Sequence, residues 1–152
     1  MRLEWSANDT VVQKALDKMT AAQLRPILRA GTRKGIIEVR KQVVANYKKA
    51  FPGSQKWRAI WAKNYAKKNK IGAYISLHKL NPKYDIGNPR LLRLLDLGTY
   101  ERETKMGYNR GMMNDTGFFG KAVEAKMNQA EAVASKYINE GILKKARKLG
   151  LV

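Results

Sequence analysis

Trp57-Arg58-Ala59-Ile60-Trp61-Ala62-Lys63-Asn64-Tyr65-Ala66-Lys67-Lys68-Asn69-Lys70-Ile71-Gly72-Ala73-Tyr74-Ile75-Ser76-Leu77 is the stretch whose period separates a mixed fold from an all-helical one. Trp57, Ala59 and Trp61 alternate with Arg58, Ile60 and Ala62. Ile71, Ala73, Ile75 and Leu77 alternate with Gly72, Tyr74, Ser76 and His78. A period of two is the mark of a strand. Lys67-Lys68-Asn69-Lys70 is a short polar link, so the two runs predict a β-hairpin with a strongly basic tip.

On either side the period becomes helical. Val12, Ala15, Leu16 and Met19 predict a short helix capped by Asp9 or Thr10. Thr20 opens a longer pattern that reaches Ala50. Pro26 is tolerated only near a helix start, which places the regular helix from about Arg25. Leu28, Gly31, Gly35, Val39, Val43 and Tyr47 form its apolar stripe, widened by Ile27, Ile37 and Val44. Gly31 and Gly35 lie on the buried side and predict close approach of another backbone. Phe51-Pro52-Gly53-Ser54 stops the helix. Near the other end, Phe119, Ala122, Val123, Met127, Ala130, Val133, Ala134, Tyr137, Ile138 and Ile142 mark a second long helix, capped by Asp115 or Thr116.

Between the hairpin and that helix lie a Pro/Asn/Gly loop, an apolar run and a long polar segment. The run Leu91-Leu92-Arg93-Leu94-Leu95-Asp96-Leu97 is apolar on both faces and ends at Gly98, so we expect a central strand. Residues 100–117 read as a long loop and residues 1–9 as a flexible arm carrying Trp5. The whole is expected to be one domain over residues 1–152. The class is α+β: long N-terminal and C-terminal helices packed on one face of a small, mainly antiparallel β-sheet with a long β-hairpin.

Composition bounds the function. Of 152 residues, 31 are Lys or Arg and 12 are Asp or Glu, a net charge of +19. Apolar residues at 44% are sufficient for a packed core. From Val39 to Leu95 there are 14 basic residues and one acid, Asp85. Such an excess needs an anionic partner or an acidic neighbour in an assembly. Zero cysteines exclude disulfides and thiolate chemistry, and one histidine, His78, excludes multi-histidine metal sites. No run approaches the roughly 18 apolar residues of a membrane span. The first ten residues lack a signal-peptide core, so a soluble protein kept in a cytoplasm is expected.

Catalytic constellations are thin. Asp85 with Glu103-Thr104-Lys105 matches the loose acid…Glu-x-Lys pattern of metal-dependent nucleases, but on a segment that reads as loop rather than strand. Ser54 and Ser76 lack a nucleophile elbow, and Gly107-x3-Gly111 lacks the sequel of a phosphate loop. Trp57, Trp61, Tyr65 and Tyr74 interleave with Arg58, Lys63, Lys67, Lys68 and Lys70. Aromatics among cations stack bases. Large aromatics are also mostly buried, which favours tryptophans facing the core under the helices.

Three motifs stand in a telling order. The basic helix ends Lys48-Lys49-Ala50-Phe51-Pro52. The apolar run ends Leu95-Asp96-Leu97-Gly98-Thr99. The last helix opens Thr116-Gly117-Phe118-Phe119-Gly120-Lys121-Ala122-Val123. With the hairpin between the first two, this order resembles the small morphogenesis proteins of tailed bacteriophages: minor tail, tail-completion and head–tail joining (neck) proteins. The likeness covers about Ala21 to Leu149. Gly53-Ser54-Gln55-Lys56-Trp57 replaces that family's Asp-Thr-Gly-x-Leu segment, and the proline before the second motif's phenylalanine is absent.

The resemblance implies a non-enzymatic, cofactor-free structural protein of the virion, assembled in the host cytoplasm. It implies a ring whose partners are other copies of itself and the neighbouring head-connector and tail proteins, with no membrane. Non-specific contact with phage DNA would then fall to Lys63, Lys67, Lys68 and Lys70, which face either the lumen or an acidic partner. Leu97, Gly98, Thr99, Tyr100, Phe118 and Phe119 are the expected subunit-interface residues. The alternative expectation is a general nucleic-acid-binding basic module, RNA- or ribosome-associated.

Overall fold

The computed structural model describes residues 10–67, 70–77, 89–99, 106, 112 and 114–151. In chain order these form α1 (Thr10–Lys18), α2 (Ala21–Ala50), a 3₁₀ turn (Lys56–Ala59), β1 (Ile60–Lys67), β2 (Lys70–Leu77), α3 (Pro89–Leu97) and α4 (Phe118–Lys148). The fold is α+β, as expected: long N- and C-terminal helices pack against a two-stranded antiparallel sheet. Among the described residues, no helix is long and apolar enough to cross a membrane.

The sequence dictates most of these boundaries. Thr20 caps α2. Its carbonyl accepts from the N–H groups of Gln23 and Leu24 at 3.0 and 3.1 Å. Its own N–H donates to Gln23 Oε1 at 2.9 Å, one half of a capping box. This local cap starts the helix at Ala21, ahead of the expected start near Arg25. Pro26 therefore sits inside α2 and leaves the Ala22 carbonyl without its usual donor one turn on. Trp57 lies in the 3₁₀ turn, so the first strand begins at Ile60 rather than at Trp57.

The expected strand over residues 91–97 is instead helix α3. Pro89 occupies its first position, where a missing N–H costs nothing. Gly98 follows its last residue at φ 71°, a left-handed conformation that glycine adopts without strain. Leucine is among the better helix formers, and spacing of three and four residues gathers leucines on one side. Leu94 and Leu97 are left exposed, at 38% and 62%. A seven-residue strand would have needed cover on both faces.

The chain divides into two compact units. One draws on Met1–Val39, Ala62–Ile75 and Lys126–Val152. Its core is Val12, Ala15, Met19, Ile138, Ile142 and Ala146, flanked by half-buried Leu16, Leu24, Ile27 and Leu28. Each fully buried aliphatic side chain contributes about 1.5–3 kcal/mol. Here α2 and α4 meet through small residues. A Cβ on Gly31 would overlap Ile138 and stand 3.1 Å from the Ala134 carbonyl oxygen. A Cβ on Gly35 would overlap the carbonyl oxygen of Ala130. The expected close backbone approach is thus α4 against α2. Gly141 extends it, since a Cβ there would reach Ile27 at 2.7 Å.

The other unit draws on Arg40–Trp61 and Ser76–Ala125. Val43, Tyr47, Ile60, Phe118 and Ala122 are buried in it. The Tyr47 ring meets Phe118 edge-on at 5.2 Å and Phe51 at 4.9 Å. The Tyr47 and Ser54 hydroxyls hydrogen-bond at 2.9 Å, and Arg40 Nε donates to the Ile60 carbonyl at 2.6 Å. These bonds fix the turn after α2 and the entry into β1.

Candidate functional site

The hairpin presents its aromatics to solvent. Tyr65 on β1 and Tyr74 on β2 are 41% and 43% exposed, with ring centroids 6.1 Å apart. Gly72 makes room for them: a Cβ there would stand 2.6 Å from Tyr65 ring atoms. Lys63 is half-buried on β1, and Lys70 is exposed at the start of β2. Lys67 ends β1. Lys68 and the Lys67 side chain lie outside the described residues, so the basic tip is represented here by Lys70.

The tryptophans divide. Trp57 is half-buried, with the Lys48 ammonium 4.2 Å from its ring centroid and the Arg58 guanidinium 5.6 Å away. Trp61 is 44% exposed and donates through Nε1 to the Arg58 carbonyl at 2.6 Å. The expectation that both face the core fails for Trp61. It stands on the strand face away from buried Ile60, because strand residues alternate.

The second feature joins α3 to the start of α4. Asp96 Oδ1 accepts from the Phe119 N–H at 2.7 Å. The Asp96 carbonyl accepts from the N–H groups of Thr116 and Gly117 at 3.2 and 3.0 Å. Thr116 Oγ1 donates to the Leu95 carbonyl at 2.7 Å. The cap of α4 therefore comes from Asp96 and not, as expected, from the side chain of Asp115 or Thr116. A carboxylate at this helix end also meets the positive pole of the macrodipole. Of the expected interface residues, Leu97 is exposed, Gly98, Thr99 and Phe119 are half-buried, and Phe118 is only 2% exposed within the Tyr47 cluster. Tyr100 lies outside the described residues.

The third feature escaped sequence reasoning. A cleft of about 570 Å³ is lined by Pro26, Arg29, Ala30, Arg33, Lys34 and Ile37 of α2 and by Asn64 of β1. Its lining holds three cations and no acid. Asn64 Nδ2 donates to the Arg29 carbonyl at 3.2 Å, while Asn64 Oδ1 is buried without a hydrogen-bond partner. The Lys34 ammonium lies 5.2 Å from the centre of the Tyr137 ring. Arg29 and Arg33 at helical spacing were the available signal. Asn64 enters only through the fold.

His78, Asp85, Glu103 and Lys105 lie outside the described residues. Among the described residues, no group of three or more His, Asp or Glu side chains is placed to hold a metal ion. No family model matches the chain, and no curated protein or solved structure matches it either.

Proposed function

We propose that this chain is a structural virion protein of a tailed phage, a ring-forming subunit of the neck or tail-completion assembly. One observation carries the reading. Two of the three motifs whose order it rests on, Leu95-Asp96-Leu97-Gly98-Thr99 and Thr116-Gly117-Phe118-Phe119, join through Asp96 and Thr116 into one capped junction. Their order in sequence is thus also a contact in space. The first of these motifs ends helix α3 and not the central strand expected from its sequence. Rings close through heterologous interfaces, and among the described residues both strands of the hairpin are edge strands.

The test is genetic. Deleting the gene from its phage should leave heads and tails unjoined, and supplying the protein in trans should restore particles. Complete tailed particles without the protein would overturn the proposal.

A second reading, a general nucleic-acid-binding module, is favoured by the basic cleft on α2. It requires tight, salt-sensitive binding by a monomer, whereas a ring subunit should associate with its neighbours.

A further inference from the structure

We infer that the cleft between α2 and β1 binds the phosphodiester backbone of duplex DNA, at a place separate from the hairpin tip. The choice of duplex rests on the neck reading, in which the genome passes through the ring. The site itself rests on the cleft.

Arg29 and Arg33 are one helical turn apart, about 6 Å along the axis, and Lys34 adjoins them. Arg29 and Arg33, stacked along one side of α2 in the cleft, suit successive phosphates of one strand. The Tyr137 ring lies against the Lys34 ammonium, which limits how far that side chain roams before binding. Pro26, Ala30 and Ile37 line the cleft beside the cations, so no acidic group competes with an anionic ligand there.

Asn64 supplies an independent mark. Its amide nitrogen ties β1 to the Arg29 carbonyl, and its buried oxygen is left without a donor. Orphaned buried acceptors are rare and call for an explanation. The bond to the Arg29 carbonyl holds β1 against the turn of α2 that carries Arg29 and Arg33, so Asn64 fixes one wall of the cleft. The ligand must carry charge without being read for sequence, because phosphate contacts position and do not specify.

The experiment measures binding of the full chain to a short labelled duplex across a salt series. Arg29→Glu with Arg33→Glu is compared with Lys144→Glu and Lys148→Glu, which change the net charge equally on exposed turns of α4. We expect the cleft variant to bind at least about tenfold more weakly and to lose about two from the salt slope. The α4 variant should lose less than about threefold. Arg29→Gln with Arg33→Gln should give a smaller loss in the same direction, which guards against misfolding of the glutamate variant.

Equal losses from both charge reversals would mean a diffuse field and would overturn the proposal. So would tighter binding of a single strand, or of polyglutamate, through the same arginines. Failure here is separable from failure of the neck reading. Cleft variants that bind duplex normally while the gene deletion unjoins heads and tails sink the cleft alone. Cleft-dependent binding with normal particles sinks the neck alone.

Discussion

Asp96 caps a helix whose second residue lies 23 positions further along the chain. A side-chain cap of this kind contributes about 1 kcal/mol. Asp96→Ala should therefore lower unfolding stability by about 1 kcal/mol in urea titration, and Asp96→Asn should retain most of it. An unchanged midpoint in Asp96→Ala would show that Thr116 and Gly117 hold the junction alone. Gly35 is the second test at this scale. A methyl there runs into the Ala130 carbonyl, a backbone atom that cannot swing aside, so Gly35→Ala should cost about 1–3 kcal/mol. Gly120 in α4 has open space around it, so Gly120→Ala should instead be neutral or stabilising by up to about 1 kcal/mol. The need for close approach at Gly31 and Gly35 was legible, since two glycines on a buried stripe have few other uses. Their partners Ala130 and Ala134 were not, because spacing along one helix says nothing of which neighbour faces it. The Asp96 cap was hidden for the same reason: local rules look for caps next door.

At the scale of elements, both long helices and the hairpin follow from their periods. The error at Leu91–Leu97 has a physical source. Five leucines in seven residues satisfy a strand and a helix equally when only burial is considered. Pro89 and Gly98 decide for the helix, being the residues a helix wants at its first position and just past its end. Pro26 tests how α2 begins. It lies in the second turn, after a helix already nucleated by Thr20 and Gln23. Pro26→Ala restores the donor to the Ala22 carbonyl and relieves the ring's crowding of that turn. The variant should unfold at higher urea, by about 1 kcal/mol or more, even after the looser unfolded chain is counted. A loss of stability would mean that the ring's restriction of the unfolded chain outweighs the donor it withholds from the helix.

For the whole molecule, charge is the dominant fact. A net +19 spread over 152 residues repels itself in any folded form. Exposed pairs such as Lys136 with Glu140, at 4.0 Å, offset little of this. Raising salt from about 0.1 M to about 1 M shortens the screening length from about 10 Å to about 3 Å. The free protein should therefore melt at a higher temperature as sodium chloride rises, the reverse of a protein held by surface ion pairs. Duplex DNA should act oppositely along the same axis. A ligand at 100 times its dissociation constant stabilises the native state by about 2.7 kcal/mol. Counterion release makes that affinity fall steeply with salt. The melting temperature with DNA should thus start well above that of the free protein and converge on it as salt increases. Differential scanning calorimetry reads both curves in one series. A melting temperature that is flat in salt without DNA would mean that the excess charge is spaced too widely to strain the fold.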